Sequence, residues 1–218
     1  MYDPFDYSHV VFDWNGTIID DVALAVASVN AVRVDLGFEE ISLPTYRNKF
    51  RFPIRAFYAD LGFDFAVNEF EVLVLSYLHH FDARVLECGL CPGVQSLITG
   101  LHANGTRIAV LSASQQDTLH RTARCNGIEG QIDILFGLED GAASGKLMRA
   151  RDLDRQFIQS PGDRVLMIGD TDHDAEVAQD RGWDFLAVST GHQNADHLRR
   201  LNVPVCETLM DVLSQDIS

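Results

Sequence analysis

Basic residues are scarce in this 218-residue sequence. It holds 17 lysines and arginines against 32 aspartates and glutamates, which gives a formal net charge of −15. Nucleic acids need basic surface to meet their phosphates, and anionic membranes attract basic segments, so we expect neither a nucleic-acid nor a membrane partner. An acidic protein that handles an anionic small molecule must concentrate positive charge locally, through a metal ion or a few basic side chains.

Long apolar runs are missing as well. No stretch reaches the roughly 18 consecutive apolar residues that a membrane-spanning helix needs, and the first residues, MYDPFDYSHVVFDWNG, show neither a basic leader nor an uninterrupted apolar segment. These features predict a cytoplasmic protein. Composition leaves monomer and dimer equally open.

Cysteine is also rare. Four cysteines in a chain of this size do not form a disulfide framework. Cys88 and Cys91 have CxxC spacing, but a zinc site would require a second pair of ligands, and a redox motif usually opens a helix after a strand. Because this pair precedes Pro92-Gly93, we interpret it as part of a linker.

After Pro92-Gly93 the sequence alternates between helical periodicity and short apolar runs. Strands that alternate with helices predict a parallel sheet covered on both faces, as in Rossmann-like α/β folds. One further strand is predicted before this region, where HVVFDW ends in Asn15-Gly16. The predicted strands are 9–14, 107–112, 132–136, 164–169 and 184–189, and the helices between them are 94–103, 115–125, 146–157 and 174–180.

The interval between the first strand and Pro92 has a different pattern. It contains no strand-like run, and apolar residues recur there at helical spacing. The helices predicted from this spacing are 22–36, 53–61 and 67–85. We therefore predict an α/β core domain formed by residues 1–20 and 89–218, with a small all-helical domain, residues 21–88, inserted after the first strand.

Polar residues stand where the predicted strands end. Asp13 and Ser112 end two strands, and Asp170 directly follows a third. Lys146 opens a predicted helix, and Asp174 lies four residues after Asp170, so that both can face one pocket. Because chemistry in parallel sheets gathers beyond the carboxyl ends of the strands, we expect these side chains to meet.

This set of residue types suits a phosphorylated substrate. Carboxylates hold Mg²⁺, which prefers oxygen ligands. The metal ion screens the phosphate so that a carboxylate nucleophile can approach it. Lysine and serine neutralise and hydrogen-bond the transferring oxygens. Lys146 is one of two lysines in the chain, the other being Lys49. A surface charge could equally be an arginine, so we expect the lysine at this position to have a specific role.

The segment FDWNGT, the strand-final Ser112, Lys146 and GDTDHD resemble, in order and spacing, the four motifs of the haloacid dehalogenase superfamily. The helical insertion resembles the cap of its phosphoglycolate-phosphatase-like branch. The resemblance extends over residues 9–192. It implies a Mg²⁺-dependent phosphatase that hydrolyses a small phosphorylated metabolite, either a phosphoglycolate-like ester or an activated phosphate.

The resemblance also implies a role for each matching residue. Asp13 is the nucleophile that forms an aspartyl-phosphate. The metal ligands are Asp13, the backbone carbonyl of Asn15 and Asp170, with Asp174 supporting the site through a water. The phosphoryl group is bound by Ser112 and Lys146, with backbone N–H groups near Asn15, Gly16 and Ala113, while Gly16 and Thr17 shape the loop.

Asn15 departs from the family pattern. The usual motif is DxDGT, in which the second aspartate is the general acid and base, and an amide cannot exchange a proton in this way. Such catalysis typically contributes ~10²–10⁴-fold to a rate. Turnover of ordinary esters is then slow, or the leaving group needs no proton, or another group supplies it. The candidates for that group are His79, His80, Asp20 and Asp21.

Two other functions stay open on the sequence alone. DWNGT resembles the DWAGT of phosphonatases, which form a Schiff base through a cap lysine, and Lys49 is the candidate for that lysine. A degenerate member that binds a phosphorylated ligand without turnover is the other alternative, because Asn15 would permit it.

The predicted cap carries a run of basic residues, Arg47, Lys49, Arg51 and Arg55. Arg47, Lys49 and Arg51 either reach over the active site and bind a second anionic group of the substrate, or form a solvated helix face. Aromatic residues of the same region, Phe52, Phe57 and Tyr58, are expected in the cap core. His192 is expected on a surface loop.

Overall fold

The computed structural model describes residues 2–139, 145–158, 160 and 162–213. In these residues six strands form one sheet, in the order β3-β2-β1-β4-β5-β6, and every neighbouring pair is parallel. The strands are β1 (His9–Phe12), β2 (Arg107–Gln115), β3 (Ile134–Leu138), β4 (Val165–Gly169), β5 (Asp184–Val188) and β6 (Val205–Cys206). The α/β class and the Rossmann-like parallel sheet are therefore confirmed.

Helices cover both faces of this sheet. Successive strand residues point to opposite sides: Val10 and Phe12 join one apolar cluster, whereas Val11 joins the other. The first cluster includes residues of α5 (Val94–Asn104), α6 (Gln116–Cys125) and α10 (Leu209–Leu213). The second includes residues of α7 (Lys146–Phe157), α8 (Asp172–Arg181) and α9 (Ala195–Arg199).

Residues 22–82 contain four further helices and, within the described chain, no strand. These are α1 (Val22–Asp35), α2 (Leu43–Lys49), α3 (Ile54–Asp60) and α4 (Phe70–Asp82). They enclose a third apolar cluster of their own, to which Phe57 and Tyr58 belong as predicted. Phe52 is not a member of that cluster. We refer to residues 22–82 as the helical segment.

Several element boundaries differ from the sequence prediction. α2 was not predicted, because one buried residue, Tyr46, is too little to reveal periodicity. Its start is marked instead by Ser42, whose hydroxyl accepts a hydrogen bond from the backbone N–H of Thr45 at 3.3 Å. Strand β2 continues three residues beyond Ser112, and the terminal elements α9, β6 and α10 were also missed.

The chain geometry brings two strand ends together at the centre of the sheet. β1 and β4 are neighbours with Phe12 opposite Ile168, and the N–H of Asp13 donates to the carbonyl of Ile168 at 2.8 Å. The strand order reverses around β1, which is where ligands bind in sheets of this kind. No helix of the described chain is long and apolar enough to cross a membrane.

Candidate active site

Three carboxylates meet beyond the carboxyl ends of β1 and β4. Asp13 follows β1, Asp170 follows β4, and Asp174 lies in the first turn of α8. All three are buried, and each offers an oxygen that lies within 4.8 Å of the corresponding oxygens of the other two. The three side chains therefore lie together, as the sequence predicts.

Asp174 is fixed by the start of its own helix. Its Oδ2 accepts hydrogen bonds from the backbone N–H of Thr171 at 3.0 Å and from the Thr171 hydroxyl at 2.7 Å. Thr171 caps α8 in return, forming a capping box. This leaves Oδ1 of Asp174 free to face the pocket, where it accepts from Nζ of Lys146 at 2.6 Å.

Lys146 joins the two ends of the site. Its Nζ donates to Oδ1 of Asp13 as well as to Asp174, and the side chain is buried at the first residue of α7. Burial alone would lower the pKa of Lys146, but the carboxylates of Asp13 and Asp174 outweigh that effect and raise it. The ammonium of Lys146 is therefore held charged against the carboxylate of Asp13.

The charge at this site suits a divalent cation. Burial raises the pKa of Asp13, Lys146 opposes that rise, and the nearby charges of Asp174 and Asp170 add to it. Asp13 and Asp174 thus share one lysine in a buried space, and Asp170 lies beside them without a hydrogen bond to it. Their oxygen donors are the type that Mg²⁺ prefers, so the residues present fit a hard divalent ion. An acidic group that can hold a metal is what the structure shows.

Asp170 is placed by the loops around it. The Thr17 hydroxyl donates to Oδ1 at 3.2 Å, and the backbone N–H of His192 donates to Oδ2 at 2.6 Å. Burial raises the pKa of Asp170 to about 6, although His192 opposes the rise. Gly191 makes this approach possible, because a Cβ on Gly191 would lie 1.9 Å from Oδ2 of Asp170.

Asn15 forms two side-chain hydrogen bonds. Its Nδ2 donates to Oδ2 of Asp21 at 2.8 Å, and its Oδ1 accepts from the hydroxyl of Ser114 at 2.7 Å. The other oxygen of Asp21 accepts from the backbone N–H of Gly16 at 2.8 Å. Gly16 adopts φ +75°, and a Cβ there would lie 2.8 Å from Oδ2 of Asp170, so the loop requires glycine.

His192 corrects the sequence prediction. It was expected on a surface loop, but it is buried beside the carboxylates. Its Nδ1 is hydrogen-bonded to the Tyr46 hydroxyl at 2.9 Å, and its Nε2 lies 3.5 Å from Oδ1 of Asp21. Burial alone would lower the pKa of His192, but Asp21 foremost and then Asp170 raise it to about 9. It therefore links the helical segment to the core.

A cavity of about 370 Å³ opens between this site and the helical segment. Six residues of the predicted site line it: Asp13, Asn15, Ala113, Lys146, Asp170 and Asp174. Gly16, Thr17 and Ser112 lie behind the lining. The Ser112 hydroxyl is fully buried and accepts from the backbone N–H of Ser114 at 2.9 Å, so Ser114 rather than Ser112 faces the cavity.

The basic residues of the helical segment do not line the cavity. Arg47 donates to the carbonyl of Thr190, a contact between the helical segment and the core. Lys49 donates to the carbonyl of Asp60, and Arg51 forms an ion pair with the carboxylate of Asp60 at 2.7 Å. Arg55 lies 4.3 Å from the ring centroid of Phe65. None of the four therefore forms an anion subsite in the cavity: the partners of Lys49 and Arg51 agree with the solvated-face interpretation, whereas Arg47 is a partly buried contact with the core.

The four candidate proton donors differ in burial and in whether they line the cavity. His79 and Asp20 are exposed, and Nε2 of His80 lies 3.8 Å from the carboxylate of Asp35, outside the cavity lining. Asp21, in contrast, is buried, lines the cavity and contacts Asn15.

A known protein family and two known relatives match most of the length of this chain. The model of the haloacid dehalogenase-like hydrolase family matches residues 10–188. The tyrosine-protein kinase PtkA of Mycobacterium tuberculosis is 25% identical over 198 residues, which cover 90% of this chain and 67% of that protein. A 5'-nucleotidase of Pseudomonas aeruginosa is 26% identical over 203 residues, covering 88% of this chain and 87% of the relative.

Solved structures share the fold. A haloacid dehalogenase-like family hydrolase from Streptococcus pneumoniae superposes with a TM-score of 0.80 at 19% sequence identity, covering 96% of this chain and 98% of that one. At this level of identity the likeness concerns the fold, including the helical segment, and carries no information on substrate.

Proposed function

Because the chain belongs to the haloacid dehalogenase-like hydrolase family, we propose that it is a Mg²⁺-dependent phosphatase that acts on a small phosphorylated metabolite. The names of its relatives, a 5'-nucleotidase, a phosphoglycolate phosphatase and a tyrosine-protein kinase, all denote enzymes that transfer or hydrolyse phosphoryl groups. We further propose that residues 21–88 act as a cap domain on a core of residues 1–20 and 89–218.

The observation that carries the proposal is the position of Lys146 between Asp13 and Asp174. A lysine that contacts the nucleophile can also contact a phosphoryl oxygen that approaches it. Neutralising that oxygen lowers the repulsion between a carboxylate and a phosphate, which is the main obstacle to attack. Lys146 is thus proposed to bind the phosphoryl group and to orient Asp13.

The proposed reaction has two steps. An oxygen of Asp13 bonds to phosphorus while the ester P–O bond breaks, and the alcohol leaves with the electron pair and takes up a proton. A water then attacks the aspartyl-phosphate, the bond to Asp13 breaks, and inorganic phosphate and one proton are released. Mg²⁺, held by Asp13, the carbonyl of Asn15 and Asp170 with Asp174 behind them, would supply charge screening when bound.

The source of the proton is the unusual part of this mechanism. Asn15 cannot give a proton to the leaving oxygen. Of the four residues considered as replacements, Asp21 has the support of its position, because it lines the cavity and bonds Asn15. The phosphonatase alternative has less support, since the lysine that it requires, Lys49, contacts Asp60 outside the cavity.

The proposal is tested with a panel of phosphate esters, assayed with and without Mg²⁺. Wild type should release phosphate only with Mg²⁺, and Asp13→Asn should be inactive. Asp20→Asn is the matched control, because Asp20 is an exposed aspartate close in sequence, and it should keep wild-type activity. Mg²⁺ binding without turnover of any ester would favour the degenerate alternative, and an active Asp13→Asn variant would contradict the role of Asp13.

A further inference from the structure

The cavity has two unlike walls. Its core side carries the carboxylates, Lys146 and the hydroxyl of Ser114. Its other side, contributed by the helical segment, is built mainly from aromatic and aliphatic side chains. The members of this apolar wall are Val29, Tyr46, Phe50, Phe52, Ile54, Phe57, Tyr58, Val74, Tyr77, Leu78 and Phe81.

The apolar wall reaches down to the polar one. The ring of Phe52 lies over His173, with centroids 4.6 Å apart, and Phe50 lies 4.9 Å from His192 in the same manner. An organic group attached to a phosphate at Asp13 would therefore leave the polar wall and enter a space bounded by aromatic rings. Rings of this kind bind flat apolar groups through burial and edge or offset contacts.

Positive charge for a second anionic group is lacking in this space. Among the described residues that line the cavity, Lys146 is the one lysine and there is no arginine. The residues outside the described ranges include no lysine, arginine or histidine side chain. Two histidines also line the cavity, and both already have acidic partners. His192 is engaged by Asp21 and Tyr46, and Nδ1 of His173 lies 3.2 Å from the carboxylate of Glu176. A carboxylate or second phosphate would be desolvated against aromatic rings without a counter-charge, which is costly.

We propose that the organic group of the substrate is neutral, largely apolar and aromatic, so that the natural substrate class is an aryl or arylalkyl phosphate. This inference rests on the proposed phosphatase function. It separates this chain from enzymes whose substrates carry a second anion next to the phosphate, such as phosphoglycolate. The size of the cavity lies within the range of small-molecule sites, so a phosphate together with one ring system fits it.

The first experiment compares esters with similar leaving groups, so that chemical reactivity does not mimic binding. We expect kcat/KM for 2-phenylethyl phosphate to exceed that for ethyl phosphate by about tenfold or more, because burying the ring adds apolar contact. Phosphoglycolate, whose leaving group is also an alkoxide, should be a poorer substrate than 2-phenylethyl phosphate. If phosphoglycolate is turned over with equal or greater kcat/KM, the proposal is overturned.

The second experiment changes the wall itself. Leu78 lines the cavity from α4, whereas Leu75 on the same helix is 66% exposed and does not line it. Leu78→Arg should lower kcat/KM for 2-phenylethyl phosphate and raise it for phosphoglycolate, whereas Leu75→Arg should alter neither. Should Leu78→Arg not fold, Leu78→Ala should still reduce the preference for 2-phenylethyl over ethyl phosphate. If the preference for 2-phenylethyl over ethyl phosphate is unchanged, the apolar wall does not bind the organic group of the substrate.

Failure of this inference can be told from failure of the proposed function. Exchange of ¹⁸O between water and inorganic phosphate, measured with Mg²⁺, reports phosphoryl transfer at Asp13 without any organic group. If the protein catalyses both ¹⁸O exchange and ester hydrolysis but does not prefer 2-phenylethyl phosphate to ethyl phosphate, only the proposed substrate class is overturned. Loss of both exchange and hydrolysis would overturn the phosphatase proposal and this inference with it.

Discussion

The side-chain amide of Asn15 donates a hydrogen bond to the carboxylate of Asp21, with Nδ2 and Oδ2 2.8 Å apart. Both oxygens of Asp21 accept hydrogen bonds, Oδ1 from the backbone N–H of Gly16 and Oδ2 from Asn15, so the NH₂ group of Asn15 faces Asp21. Its carbonyl oxygen is then left for the Ser114 hydroxyl. Related phosphatases carry an aspartate at the position of Asn15. In this chain that position holds an amide, which donates a hydrogen bond to a different, buried aspartate, Asp21.

Asn15→Asp is expected to speed the hydrolysis of alkyl phosphates. An aspartate here would stand at hydrogen-bond distance from Asp21, and two such carboxyl groups share a proton that neither would hold alone near neutral pH. That proton can be given to a leaving alkoxide, and kcat for ethyl phosphate should rise by up to about 10²-fold. Steady-state kinetics on ethyl phosphate measures this.

The same variant contains its own control in the choice of substrate. The p-nitrophenolate group leaves without a proton, so kcat for p-nitrophenyl phosphate should change far less. If Asn15→Asp is no faster than wild type on ethyl phosphate, another group already supplies the proton. Asp21→Asn, which keeps the size of the side chain, should then reduce turnover of the alkyl ester.

Gly191 is predicted to be essential for metal affinity although it offers no ligand. A methyl group at this position would lie 1.9 Å from Oδ2 of Asp170 and must displace it. For Gly191→Ala we expect the Mg²⁺ concentration for half-maximal activity to rise by about 10- to 100-fold. Gly130→Ala is the matched control, because a Cβ on Gly130 meets nothing within 4 Å. Equal Mg²⁺ dependence of the two variants would contradict this role.

The sequence predicted the sheet and the residues at its strand ends for a clear reason. Apolar strands that alternate with helices leave a strong pattern, and Asp13 and Asp170 directly follow two such strands. Once those strands are adjacent, the two side chains have to meet. Lys146 and Asp174 were predictable because each lies at or near the start of a helix that follows in the same arrangement.

Other parts of the site could not be predicted in this way. His192 lies in a loop beyond β5, and its surroundings depend on Tyr46 and Asp21, which are distant in sequence. Nothing in its local sequence signals burial. The basic residues Arg47 and Lys49 failed to mark the cavity for a related reason, since a charge run does not reveal which way a short helix faces.

Tyr7 provides a prediction on pH and stability. Its buried hydroxyl donates to Oδ2 of Asp184 at 2.7 Å, and burial foremost, then this hydrogen bond, raise the pKa of Tyr7 above its usual value near 10. A pKa raised by folding stabilises the protein fully below pH 10 and less as the pH rises towards the folded value. The free energy of unfolding of wild type should therefore fall more steeply above pH 10 than that of Tyr7→Phe, measured with denaturant. Parallel curves would contradict this.

Lys146→Met should lower kcat strongly while leaving metal binding intact. Loss of one donor to a developing charge typically costs about 10²–10³-fold in kcat. Asp13 and Asp174 would lose their buried partner, so the free energy of unfolding without metal should fall by about 3–5 kcal/mol. Mg²⁺ can replace part of the lost charge, and it should raise the melting temperature of this variant more than that of wild type. Lys49→Met, which removes the other lysine of the chain, should match wild type in all three measurements. Substantial activity in Lys146→Met, or a smaller Mg²⁺ effect than in wild type, would show that the ammonium does not balance these carboxylates.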